Sequence, residues 1–144
     1  MAEEHELISD EVKKTIKETF FNNMKDDVAI EVYTLAGMND QYNDAVIRLI
    51  KTLAGLTDKL KVSYHMVGDD HANKRNVTRS PTILIAPDKY SLRFTGAPVG
   101  EEGRSLLLAI MMASTGKSVL SEPGLKKIAE LRDRRHIQVF VSPT

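Results

Sequence analysis

Val28-Ala29-Ile30-Glu31-Val32-Tyr33 is an apolar run bounded by Gly37, and it leads through Asp40-Gln41-Tyr42-Asn43 into the helical stretch Asn43 to Leu56. Within that stretch Val46, Leu49, Ile50, Leu53 and Leu56 recur with the 3.6-residue period of one helix face. The pattern is a strand feeding a helix N-terminus through a short loop. The positive end of the helix dipole then points at the loop, where it favours an anion or a cysteine thiolate. The chain contains no cysteine. That excludes a disulfide framework and thiolate metal sites, and it leaves Asp40 and Asn43 where a redox pair would gain most.

Working outward, Ser9 reads as an N-cap with Asp10 and Glu11 in the first turn. Val12, Ile16 and Phe20 then draw one face of a first helix that fades near Met24. Lys25-Asp26-Asp27 is a turn, and Val28 to Thr34 is the strand. After Thr57-Asp58, Leu60 to Met66 alternates, with Leu60, Val62, Tyr64 and Met66 on one side and Lys61, Ser63 and His65 on the other. Gly68 to Ser80 suits a loop with a short helical turn. Thr82 to Ala86 is an apolar strand, Pro87-Asp88-Lys89 a turn, and Tyr90 to Thr95 a strand pairing back as a hairpin.

Gly96 to Gly100 is a bend. Glu101-Glu102 open a third helix carrying Leu106, Leu107, Ile110 and Met111, with Gly116 as its C-cap. Ser121-Glu122-Pro123 begins a short amphipathic helix to about Arg132. His136 to Val141 reads as one more strand. The first β-α-β should be a parallel, right-handed crossover. A parallel pair joined to a hairpin, with helices on both faces, gives an α/β, thioredoxin-like four-stranded mixed sheet with an extra N-terminal helix.

Composition narrows the field. The chain's 144 residues can bury a core as one domain, and 42% hydrophobic with 28% charged residues is ordinary for a globular chain. Twenty basic residues balance twenty acidic ones, so charge points to neither nucleic acid nor an anionic membrane as partner. The longest apolar run, Leu106 to Ala113, is well short of a membrane span. Met1 to Glu6 is acidic and is not a signal peptide, so a cytoplasmic location is expected.

Several stretches together resemble one family. They are Leu7-Ile8-Ser9-Asp10 with Lys13-Lys14 and Ile16-Lys17-Glu18, the pair Phe20-Phe21, and Leu56-Thr57-Asp58-Lys59-Leu60. To these are added Arg79-Ser80-Pro81-Thr82 and Arg93-Phe94-Thr95-Gly96-Ala97-Pro98-Val99-Gly100. In order and spacing they resemble the N-terminal half of the two-domain, glutaredoxin-like protein disulfide oxidoreductases. More distantly the chain is similar to the N-terminal domain of the flavin-containing alkyl hydroperoxide reductase subunit.

The resemblance implies a Cys-Gln-Tyr-Cys at residues 40–43; here Asp40 and Asn43 replace the two cysteines while Gln41 and Tyr42 persist. It implies that Pro81 is a cis-proline facing this loop, whose neighbouring backbone pairs with an extended peptide or glutathione. It marks Gln41, Tyr42, Ser80, Pro81, Thr82 and Gly96 as a binding groove. It divides the chain into a domain over residues 1–132 and, over 133–144, the opening strand of a second thioredoxin-like unit, a strand leading into Thr-Cys-Pro-x-Cys. A strand ending in Pro143-Thr144 then reads as part of a longer polypeptide.

Other side chains are weighed against plainer roles. Asp40 could act as acid or base, but helix capping is the plainer role. Asp69-Asp70-His71 with His65 has metal-ligating atoms without paired-histidine spacing, so a solvated loop is expected. Lys74-Arg75 and Arg79 read as a solvated charge cluster. Met66, Met111 and Met112 read as core filler. No nucleophile-base signature and no phosphate loop is present.

The expected function is a redox-inactive module that packs against a catalytic second unit and docks a partner. The alternative is a stand-alone peptide- or protein-binding module. No cofactor is expected in this chain, and FAD is implied only for a longer parent.

Overall fold

The computed structural model describes residues 6–142. Pro143 and Thr144 lie outside them, as do the first five residues of the acidic N-terminus. Helix α1 (Asp10–Thr19) starts where Ser9 accepts the Val12 N–H at 3.3 Å, and a 3-10 turn (Phe21–Asn23) follows it. Strand β1 (Val28–Thr34), helix α2 (Asp40–Ala54) and strand β2 (Leu60–Met66) form the parallel β-α-β unit. The short helix α3 (Asp70–Lys74) leads to β3 (Thr82–Ile85) and β4 (Leu92–Thr95), which pair antiparallel. Helices α4 (Glu102–Thr115) and α5 (Glu122–Ala129) close the order of elements.

The sheet runs β2-β1-β3-β4, with β1 parallel to β2 and antiparallel to β3. Register decides what each face carries, because alternate residues of a strand point opposite ways. Val32 stands opposite Ile83, and Glu31 opposite Leu84. One face therefore presents Val28, Ile30, Val32, Ile83 and Ile85 to α1, α2 and α4, where Ile16, Val46, Ile50, Leu53, Leu106 and Ile110 complete the main core. The other face has a small cluster, Tyr33, Val67, Ala72, Val77 and Leu84, beneath α3. Ser114, fully buried at the end of α4, ties the core to the turn before β1. Its hydroxyl accepts from the N–H groups of Lys25 and Asp26 and donates to the Asp26 carbonyl.

Several expectations change. Residues 136–141 form no strand; Ile137, Val139 and Phe140 are 84%, 80% and 89% exposed. A strand needs a neighbour to take its backbone hydrogen bonds, and this segment has none among the described residues. Helix α2 begins at Asp40, earlier than the apolar stripe shows, and β4 begins at Leu92, not Tyr90. Val12, Tyr64 and Met66 are exposed, so Met66 is not core filler: the α1 contact centres on Ile16, and β2 is an edge strand whose buried alternation ends after Val62. Met111 and Met112 are half-buried, and Met111 packs against the core.

Candidate functional site

The loop between β1 and α2 is built around Asn43. Its side chain is nearly buried, at 4% exposure, on the first turn of α2. Nδ2 donates to the carbonyls of Leu35 (3.0 Å) and Met38 (2.8 Å), and Oδ1 accepts from the Ser80 hydroxyl at 2.7 Å. Ser80 Oγ in turn accepts the Leu35 N–H at 2.7 Å. Asn39, at φ 60° in the left-handed region that Asn tolerates, donates Nδ2 to the Ser80 carbonyl at 2.9 Å. Asparagine suits position 43 because the pocket offers it carbonyls on one side and a hydroxyl on the other.

Asp40 departs from its expected capping role. Its exposed carboxylate accepts the Gly37 N–H at 2.8 Å and lies 3.5 Å from Asn43 Nδ2. It braces the loop; the helix N-cap residue is Asn39, whose side chain makes no capping bond. The carboxylate still sits at the positive end of α2, a placement that contributes roughly 0.3–1 kcal/mol.

The Ser80–Pro81 peptide bond is cis. The carbonyls around it are engaged: Arg79 accepts from the Thr82 hydroxyl (2.7 Å), Ser80 from Asn39, and Pro81 from the Gly96 N–H (2.9 Å). Gly96 holds φ 99°, which L side chains rarely adopt, and so the chain can turn out of β4 with its N–H aimed at Pro81. Of the six groove residues, Ser80, Pro81 and Thr82 are buried, Gly96 is half-buried, and Gln41 and Tyr42 are exposed. Ser80 is brought against the 35–43 loop by three hydrogen bonds, and Gly96 against Pro81 by one.

A second polar centre lies on the opposite sheet face. Glu31 is buried within β1, and the Tyr33 hydroxyl donates to it at 2.6 Å. Arg75 clamps the same carboxylate with Nε (3.2 Å) and Nη2 (3.0 Å), and reaches Asp88 at 2.8 Å. Burial pushes the Glu31 carboxyl up, but the Tyr33 hydroxyl and the Arg75 guanidinium outweigh it and hold it below its usual value. Burial and the Glu31 hydrogen bond push the Tyr33 phenol well above its usual range, so it stays neutral. Bonds to Glu31 and Asp88 raise Arg75 further.

The 69–75 segment is therefore not a solvated loop. Asp69 caps α3 through the Ala72 N–H at 2.6 Å, the main reason its carboxyl is held low, while His71 and Arg75, one helical turn apart, face the sheet. Arg75 is not a solvated charge. A lone glutamate inside the apolar run 28–33 was the signal for this centre, since a buried carboxylate demands a partner.

Among the described residues no group of three or more histidines and carboxylates is placed to hold a metal ion. A hollow of ≈ 250 Å³ lies between the N-terminal segment and the far half of α2, lined by Glu6, Lys13, Arg48 and Lys51, away from both centres. No helix among the described residues is long and apolar enough to cross a membrane.

No family model matches the sequence, and no curated protein matches it. Solved structures do match. A protein disulfide oxidoreductase from Aeropyrum pernix aligns over 88% of this chain and 56% of its own, with a TM-score of 0.73 and 24% identity. A mutant of the alkylhydroperoxide reductase AhpF from Enterococcus faecalis aligns over 87% of this chain and 61% of its own, at 0.74 and 18%. The NTD_N/C domain of AhpF from the same organism aligns over 84% of this chain and 59% of its own, at 0.70 and 18%. This chain thus spans less than two thirds of each of these three chains. With a β2-β1-β3-β4 mixed sheet, helices packed on both faces and the cis-proline before β3, the chain has a thioredoxin-like, glutaredoxin-type fold.

Proposed function

We propose that this chain is a redox-inactive thioredoxin-fold module of a thiol-disulfide oxidoreductase or of a thioredoxin/peroxide reductase fusion, working in the cytoplasm by packing and docking. The observation that carries the reading is the state of position 43. Asn43 commits both polar atoms of its amide to holding the loop against Ser80. With no cysteine in the chain there is no attacking thiolate, and disulfide exchange cannot start.

The docking role is supported by the C-terminal segment. Val119, Ile128, Ile137, Val139 and Phe140 are 70%, 52%, 84%, 80% and 89% exposed, and α5 buries no residue. An apolar segment of this kind is expected to be covered. The partner we propose is a second thioredoxin-like unit on the same polypeptide, with FAD belonging to the parent only if it is of the peroxide-reductase kind. A stand-alone peptide-binding module is the second reading, favoured by the exposed Tyr42 beside the loop. The occupied carbonyls of Arg79, Ser80 and Pro81 weigh against it, since strand addition uses such groups.

Backbone amide exchange measured on this chain and on the full-length gene product tests the proposal. Residues 137–141 are expected to exchange freely here and to be protected in the full-length protein, whose further sequence carries Cys-x-x-Cys. Equal exchange in both, or further sequence without a dithiol, overturns it.

A further inference from the structure

Helix α5 has eight residues and buries none of them. A helix that short is marginal in water by itself and draws its stability from packing an apolar face. Such a face is present. Leu125, Ile128 and Leu131 follow at i, i+3 and i+6, and all three are exposed. The Leu131 N–H donates to the Ile128 carbonyl at 3.0 Å, which extends the face past the last helical residue. We propose that α5 and residues 137–141 pack as one: α5 lies on the sheet of the second thioredoxin-like unit, over the row Ile137, Val139 and Val141, as α1 lies over Val28, Ile30 and Val32. This rests on the second unit of the proposed function and adds which helix of this chain that unit takes up. The boundary between the two units then falls within residues 117–120 rather than at residue 132.

The chain repeats its own opening. Ser9 Oγ accepts the Val12 N–H at 3.3 Å, and Ser121 Oγ accepts the Gly124 N–H at 3.4 Å, each three residues on. Acidic residues fill both first turns, Asp10 and Glu11 in α1 and Glu122 in α5. An isoleucine stands seven residues past each cap; Ile16 is buried in the main core, whereas Ile128 is exposed. A charged turn follows, Lys25-Asp26-Asp27 in one case and Arg132 to Arg135 in the other. Apolar residues then occupy every second position, Val28, Ile30 and Val32 or Ile137, Val139 and Val141. In the first occurrence the fold shows what the pattern serves, since Ile16 and Phe20 join those valines and that isoleucine in one core.

The first unit has no place for α5. One sheet face is covered by α1, α2 and α4 and the other by α3, and neither core takes a residue beyond Ala113. Gly116, at φ 69°, ends α4, and Lys117 to Leu120 are exposed, as a connection between units is. Seven residues separate Ala129 from Ile137. Extended, a segment of that length covers about 23 Å, enough for α5 to fold back along the strand.

Thermal unfolding and amide exchange of Ile128→Asp, in this chain and in the full-length gene product, test the proposal. In this chain the variant is expected to lower Tm by less than about 2 °C, because no core residue is altered. In the full-length protein it is expected to speed exchange at residues 137–141 by about tenfold or more while exchange in β1 stays native. Ile128→Ala gives the same pattern at smaller amplitude, should the aspartate variant not fold in the longer protein. A larger fall of Tm in this chain places α5 on the first unit and overturns the proposal. Self-association of this chain that Ile128→Asp abolishes gives the face to a second copy and overturns it as well. Residues 137–141 exchanging as freely in the native full-length protein as here sink the docking reading itself; protection there that ignores both substitutions sinks this inference alone.

Discussion

Asn43 is a single side chain whose whole amide serves the fold. Replacing it by Ala strands two groups, the Met38 carbonyl and the Ser80 hydroxyl proton, while the Leu35 carbonyl keeps the Met38 N–H at 3.1 Å. Each stranded buried group costs about 1–3 kcal/mol, and partial rehydration keeps the sum near the lower half of that range per group. Urea denaturation of Asn43→Ala is expected to show a loss of about 2–4 kcal/mol; a loss under 1 kcal/mol means the knot contributes little. The converse experiment installs sulfur. Residues 40 and 43 are three apart on the first turn of α2 and their side chains already meet at 3.5 Å. The double variant Asp40→Cys, Asn43→Cys is expected to form an intradomain disulfide, because the helix N-terminus favours the thiolate that closes it. Thiol titration after mild oxidation reads the result, and two persistently free thiols contradict the placement of the loop. At this scale Ser9 and Pro81 were legible as cap and cis-proline. Glu31 and Ser114 were not, because their partners come from residues far along the chain.

Among the elements, legibility followed the number of neighbours. Helices α2 and α4 and strands β1 and β3 are wrapped in core, and their apolar period or run announces them. Strand β2 lies at an edge, so its alternation overstated burial: Tyr64 and Met66 share a face with Leu60 and Val62 but are exposed there. The 136–141 segment shows the same limit more sharply. It has the β-branched and aromatic residues of a strand, but propensity supplies no hydrogen-bond partner. The brevity of α3 hid its role. Five residues are too few for a periodic signal, yet they place His71 and Arg75 over the sheet.

Across the whole molecule, the two sheet faces divide the labour of stability. The main core is apolar and insensitive to pH. The other face depends on a buried carboxylate, and its contribution is linked to protonation. The native Glu31 carboxyl sits below its unfolded value of 4.5, so the unfolded chain binds that proton more readily. The stabilisation is therefore complete above that value and is lost as pH falls through the lowered native one. Unfolding measured between pH 7 and pH 3.5 is expected to show this loss in the native chain and a flatter profile in Glu31→Gln. At neutral pH that variant should be less stable by about 1.5–3 kcal/mol, the range for hydrogen bonds to a charged group. Parallel profiles for the two proteins contradict the assignment.

The cis-proline was implied by the resemblance to disulfide oxidoreductases. By itself the sequence determined the order of elements from α1 to α5, the mixed sheet and the lack of any thiol. Those properties follow from local period, from turn residues and from the presence or absence of one element, sulfur. Only the tertiary structure decided that Asn43 is a buried tie, that Asp40 braces the loop, that Glu31 meets Arg75 and Tyr33, and that His65 and His71 stack. Each of these joins residues distant in the chain, and a hydrogen bond or ring contact depends on ångström-scale geometry that composition and spacing do not contain.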